Sequence, residues 1–447
     1  MSRNAHLVRG LGLFEAAALV VGTAIGTGVF LKSAIMAQEV GSPLLVLTAW
    51  VAAGLLSLFG ALVYAELGSL FPEAGGEYVY LRKAYGDLPA FLYGWMRFWI
   101  GGPGSIAAYA VGTVSFIDGL VDLKNQTEKT VIAIAIIVVF TVLNCFNVAF
   151  GGKLQTFMTA LKLVMIIGLA VATFIFTPSG SVQHLLVGAS DSSVFSYGAF
   201  GAAMLAALWA YDGWNNLPMV AGEIENPQRN VPLSLSLGML SVLLIYLGIN
   251  FSYFYALPFS EVINANSTLF PDAAPIATKA ADTFLENSGL KVLSFAFVFS
   301  ALGAMNGSIL SGARVPFAMA KDKLFFKFLA EVHPTSHVPV ASVIAQGVVS
   351  CLLALSGTFD QLTDYVIFAS WLFYALCTGA LFIFRKKYAS SHRPYKVIGY
   401  PWLPLIFLVF ALVLIVNTLV TSPKESFIGL ILILLGVPVY FGFKNKV

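Results

Sequence analysis

Gly22, Gly26 and Gly28 punctuate an apolar run, 11–36, that is long enough to cross a bilayer, for which ~20 predominantly apolar residues suffice. Gly26 and Gly28 flank Thr27, and glycine is, after proline, the residue that helix interiors tolerate worst. A helix that unwinds at membrane depth frees backbone N–H and C=O groups, which only protein, water or a ligand can satisfy there. Where the helix restarts, its free N–H groups and the positive end of its dipole favour an anion such as a carboxylate. The chemistry on offer is recognition of a small anion by backbone alone. Glycines so spaced also let a second helix pack closely, and the segment by itself leaves both readings open.

A second interruption lies in the run 194–220, where Asp212-Gly213 forms a turn-prone pair with Pro218 just beyond. Asp212 facing a cavity would select a cationic substrate. Capping or bending the helix through its own backbone is the commoner use of Asp and the preferred one here. Lys162 stands alone in the apolar run 155–177, about a turn or two from its start. An ammonium at a helix centre costs roughly 2.5–3.5 kcal/mol on insertion scales, so Lys162 must snorkel to the interface or find acceptors. Carbonyls freed by the broken first helix would serve, making Lys162 a fixed cation in the place a bound sodium ion could take, or a proton-coupling group. Arg97 receives no function, and Glu15 and Glu66 read as gate or structural partners near helix ends.

These residues need a membrane scaffold, and composition supplies one. Of 447 residues, 58% are hydrophobic and 11% charged, with mean hydropathy +0.85; this is a polytopic membrane protein. The first apolar run is about twice the length of a signal-peptide core and lacks a convincing cleavage site, so it reads as the first span. Further spans are expected at 43–70, 89–119, 130–150, 155–177, 194–220, 232–256, 291–319, 339–356, 362–384, 401–420 and 426–443, twelve in all. With the N-terminus inside, the cytoplasmic side receives seventeen Lys and Arg against five outside, a clear positive-inside bias that places both termini in the cytoplasm. Connections 71–87 and 314–339 are expected to hold short interfacial helices.

Interrupted helices 1 and 6 occupy equivalent places in two successive five-helix units. That is the sequence pattern of a secondary transporter built from inverted repeats, with its substrate at the midplane between the broken helices. Other classes fit worse. The five histidines fall in expected loops or tails, no H-E-x-x-H or His/Asp/Glu cluster is present, and Pro334 separates His333 from His337; no enzyme, metal site or cofactor is expected. Cys145, Cys351 and Cys377 lack metal-ligand spacing. A net charge of +3, dispersed, does not argue for nucleic acid, and no ring of charged repeats suggests a channel.

Several motifs, in order and at family spacing, carry a resemblance over 11–443. They are Val21-Gly22-Thr23-Ala24-Ile25-Gly26-Thr27-Gly28-Val29-Phe30, Ala65-Glu66-Leu67-Gly68 and Phe71-Pro72-Glu73-Ala74-Gly75-Gly76-Glu77-Tyr78-Val79-Tyr80. Ala210-Tyr211-Asp212-Gly213-Trp214, Gly222-Glu223-Ile224-Glu225-Asn226-Pro227 and Met305-Asn306-Gly307-Ser308 leading to Arg314 complete the set. The chain resembles the amino acid–polyamine–organocation superfamily, in its L-amino-acid transporter branch, and within it the bacterial members of serine/threonine-exchanger type. The resemblance implies an all-α integral membrane, LeuT-like fold: a five-plus-five inverted repeat, 11–177 and 194–384, with two extra helices over 401–443. It implies that Gly26, Thr27 and Gly28 hold a substrate carboxylate and that carbonyls of Thr23, Ala24, Trp209 and Asp212 hold its ammonium. Trp209 matches the aromatic gate, and Lys162 the lysine bridging helices 1 and 8 in relatives without sodium coupling, with Asn306 or Ser308 as its expected neighbour. The loop 121–128 lacks the cysteine that joins eukaryotic members to a heavy chain, so no covalent partner is expected.

The reading is a sodium-independent carrier of neutral L-amino acids in the cell membrane, working by alternating access and by exchange. Proton symport, or transport of cationic amino acids or polyamines, are the alternatives. Oligomeric state is not legible.

Overall fold

In the computed structural model of the protein, residues 6–121, 123, 125–188, 196–286, 288–356, 359–421 and 423–444 are described. All regular structure among them is helical, apart from one isolated parallel β-bridge between Leu11 and Ile224. Helix α1 (Leu13–Ala24) ends where Ile25 turns extended, and α2 (Gly28–Val40) restarts three residues later and stops at left-handed Gly41, the usual helix terminator. Helix α3 (Pro43–Leu70) opens with proline at its first position, where the missing N–H costs nothing. After α4 (Glu77–Tyr85), α5 (Asp87–Met96) passes through a π-helical turn, Arg97–Gly101, into α6 (Gly102–Val121).

Asparagine caps start the next two helices. Asn125 accepts from Glu128 N–H ahead of α7 (Gln126–Leu143), and Asn147 accepts from Phe150 N–H ahead of α8 (Val148–Phe176). The second break separates α9 (Tyr197–Tyr211) from the single turn α10 (Asn216–Met219). Then follow α11 (Pro227–Ala256), the short α12 (Phe259–Ile263) and α13 (Ile276–Leu285), α14 (Gly289–Gly312), α15 (Arg314–Lys321), α16 (Val340–Ser356) and α17 (Phe359–Lys387). The chain closes with α18 (Trp402–Thr421), α19 (Pro423–Leu434) and α20 (Gly436–Lys444).

Nine helical segments among the described residues are long and apolar enough to cross a membrane, fewer than the twelve runs in the sequence. Three runs are not among the nine: the sixth, whose break leaves α9 at 15 residues and α10 at 4, the ninth, where α16 reaches only 17, and the tenth, which lies in α17. The short helices α4 and α15 are present in the two connections, where Tyr78, Tyr80, Leu81, Val315 and Met319 are fully buried against the protein.

Burial ranks the segments from centre to rim. Leu13–Val40 and Gly289–Lys321 are each 72% buried over their most apolar window, against 22% for Gln126–Leu143 and Trp402–Thr421. The first broken segment is therefore central: α1 packs against α8, α11 and α14, and α2 against α9. The chain entering α1 is tied to the far side of the second break, with Gly10 and Leu11 N–H donating to Glu223 O at 3.0 Å each and Glu225 N–H to Leu11 O at 2.8 Å.

Candidate functional site

The two breaks meet. Gly213 sits at φ +115°, and a Cβ there would lie 2.6 Å from Thr23 O, so both conformation and contact demand glycine. The Thr23 hydroxyl, bonded to Leu19 O at 2.6 Å, also lies 2.9 Å from Gly213 O. On the other side of the first break, a Cβ on Gly28 would stand 2.7 Å from Ala210 Cβ and 2.9 Å from Trp209 Cζ3. The restart of α2 thus lies directly on the end of α9. No side chain caps α2, so the N–H groups of Gly28 and Val29 have no intrahelical acceptor, while Phe30 N–H donates to Thr27 O at 3.1 Å and Gly26 N–H to Ala24 O at 3.0 Å.

The carbonyls freed by the breaks have specific fates. The Tyr246 hydroxyl lies 3.0 Å from Ala24 O and 2.8 Å from Ala210 O, its one proton serving either. Trp209 O accepts from Asp212 N–H at 3.3 Å. The Asp212 carboxylate accepts from the Tyr374 hydroxyl at 2.7 Å, so it is held at its helix end by α17, in keeping with a bending role. The Trp209 ring carries the Lys32 ammonium 4.5 Å from its centroid, and a Cβ on Gly26 would lie 3.8 Å from the Tyr109 ring of α6.

Lys162 is the pivot. Its helix begins at Val148, seven residues earlier than the sequence suggested, because Asn147 caps a start in what reads as a Gly151-Gly152-Lys153 loop. Lys162 is therefore at mid-helix and 1% exposed, which removes snorkelling. Its ammonium donates to Gly22 O at 2.8 Å, Ile25 O at 2.7 Å and Ser300 O at 2.9 Å, three acceptors for three N–H donors. The Ser300 hydroxyl adds contacts to Ile25 O at 3.2 Å and Gly26 O at 3.0 Å.

The expected neighbours, Asn306 and Ser308, are corrected by this geometry. Asn306 donates to Gln155 Oε1 at 2.8 Å and accepts from Asn144 at 2.9 Å, while Ser308 O accepts from Gln346 at 3.1 Å. Helices α8 and α14 run antiparallel, so Gln155, two turns before Lys162, meets Asn306, and Lys162 meets Ser300 nearly two turns before Asn306. The register of two helices decided the partner, and no spacing within either one carries it.

Two family motifs unite in a buried ion pair. Arg314 grips both carboxylate oxygens of Glu223 at 2.6 and 2.9 Å, with neither side chain exposed. Arg97, left unassigned in sequence, is buried and donates to Asn216 Oδ1 at 2.8 Å, where the Ser311 hydroxyl also donates at 2.9 Å. Glu66 accepts from Arg385 at 2.6 Å and Arg393 at 3.0 Å. Ser300, Tyr246 and Lys32 went unnoticed in the sequence; of these Lys32, a charged residue inside the apolar run 11–36, left a signal of the same kind as Lys162.

A buried cation bonded at the first break and a second break packed against that first one lie inside a bundle of apolar helices. The amino acid permease family matches residues 11–438. The chain belongs to that family. The serine/threonine exchanger SteT of Bacillus subtilis (strain 168) is 34% identical over 443 residues, covering 98% of either chain. The human cystine/glutamate transporter is 32% identical over 446 residues, covering 98% of this chain and 86% of its own. The mouse b(0,+)-type amino acid transporter 1 is 28% identical over 447 residues, 99% and 89% covered. This permease is accordingly a multi-pass membrane protein of the amino acid–polyamine–organocation superfamily, of L-amino-acid transporter type.

Proposed function

We propose that the permease exchanges neutral L-amino acids across the cell membrane without sodium, through twelve spans arranged as two inverted repeats and two further helices. The substrate carboxylate binds backbone N–H groups at Gly26, Thr27 and Gly28. Its ammonium binds freed carbonyls among those of Thr23, Ala24, Trp209 and Asp212, and Trp209 closes over it.

The observation carrying this reading is Lys162. One ammonium, with all three donors used by carbonyls of α1, its break and α14, supplies a fixed charge at the junction a coupling sodium ion would need. Similarity to a serine/threonine exchanger over nearly the whole chain supports small neutral substrates and exchange. The bond from Tyr374 to Asp212 weighs against a polyamine carrier, since the carboxylate already has a partner.

The test is uptake of labelled L-serine, L-alanine, L-leucine and L-arginine into proteoliposomes, with and without internal amino acid. Serine or alanine uptake that requires preloading, and is unchanged when choline replaces sodium, is the expected result. Accumulation in empty vesicles driven by a proton gradient would replace exchange with symport.

A further inference from the structure

Away from the breaks, the start of α11 and the connection between α17 and α18 enclose a groove of about 560 Å³. Gln228, Arg229, Pro232, Leu233 and Ser236 form one wall, and His392, Pro394 and Tyr395 the other. Arg229 and His392 are exposed and face the same space from opposite walls.

The groove is held open by a buried carboxylate. Glu66 binds Arg385 and Arg393 and accepts from Val397 N–H at 2.8 Å, which fixes the connection on either side of Pro394 and Tyr395. That carboxylate engages two of the five Lys and Arg between 385 and 396, and no Asp or Glu follows until Glu425. The connection is left with a surplus of positive charge beside the first turn of a 30-residue helix, where Arg229 follows Glu225 by four residues and whose N–H end favours anions.

The other half of the ligand is written on α11. Beyond Leu233 the exposed side chains Leu237 (54%), Leu240 (42%) and Leu244 (60%) recur at spacings of four, three and four, one face of a helix. A cationic cradle continuous with an apolar track on an outward-facing helix matches an amphiphile with an anionic head. Free phosphate would use the cradle and leave the track bare.

We infer that this groove seats an anionic phospholipid, its phosphodiester between Arg229 and His392 and an acyl chain along Leu237, Leu240 and Leu244. The inference rests on the membrane reading but not on the transported substrate. Basic pockets between spanning helices are known lipid-headgroup sites, each surface cation contributing on the order of 1 kcal/mol.

The experiment is native mass spectrometry of the detergent-purified full chain titrated with phosphatidylglycerol or phosphatidylcholine, counting retained lipid. The expected result is one phosphatidylglycerol retained where phosphatidylcholine is not, weakened roughly tenfold in Arg229→Gln/His392→Gln. It should also weaken in Leu237→Gln and be unchanged in Lys321→Gln, which removes an exposed cation elsewhere. Equal retention by wild type and the double variant, no preference for phosphatidylglycerol, an equal loss in Lys321→Gln, or full displacement by inorganic phosphate would each overturn the proposal. If the double variant aggregates, the two single variants are read in its place. Because the readout is bound lipid, its failure leaves the transport reading untouched.

Discussion

Lys162 converts a break in a helix into a defined structure. Without it, Gly22 O would lose its donor inside a dry interface and Ile25 O would keep only the Ser300 hydroxyl, and a buried polar group left without a partner costs about 1–3 kcal/mol. Lys162→Gln supplies two donors for three carbonyls and removes the charge. Exchange in proteoliposomes should fall at least tenfold, and the melting temperature in detergent should drop by several degrees, as expected for ~2 kcal/mol. A variant that keeps full exchange would show that the break does not need its cation. Gly28 and Trp209 set a second constraint of the same kind, since a Cβ on Gly28 would occupy the place of the indole edge.

Among the elements, α4 is the wedge that couples scaffold to second break. Its Glu77 is fully buried and accepts from the Tyr64 hydroxyl at 3.0 Å and from the Tyr93 hydroxyl, with Asn215 of the break 3.4 Å away. Burial raises the Glu77 carboxyl above the ordinary glutamate range, against the opposing pull of Tyr93, Arg97 and Tyr64. The folded protein then holds this proton more tightly than the unfolded chain, so stability falls as pH rises from the ordinary value through the raised one. Thermal unfolding of Glu77→Gln should be less pH-dependent than wild type as pH rises above the ordinary glutamate range; an unchanged slope would sink the assignment. Element positions were largely legible in the sequence, because apolar runs and the Gly26-Thr27-Gly28 and Asp212-Gly213 interruptions are local signals. The start of α8 was not, since Gly151-Gly152 looks like a loop until Asn147 is seen as its cap. Ser300 was not either, because its role exists only in the register between α8 and α14.

At the scale of the whole molecule, the seventeen-to-five division of Lys and Arg predicts an orientation with both termini inside. A fluorescent protein fused after Val447 should therefore be bright and an alkaline phosphatase fused there inactive; the reverse result would invert the topology. The central position of α1 and α14 and the peripheral position of α7 and α18 are also what a carrier needs, with the moving parts inside and the lipid contact outside. The stitch between the chain entering α1 and the segment after α10 then acquires a kinetic meaning. Three backbone hydrogen bonds join them, and the side chain of Glu223 is further pinned by Arg314. Pulling one half-helix away from the other would cost roughly 1.5–4.5 kcal/mol for those three bonds. In the proposed exchange cycle the two would therefore move as one lever arm, and half-open states, through which solute would leak without being exchanged, would be kept rare.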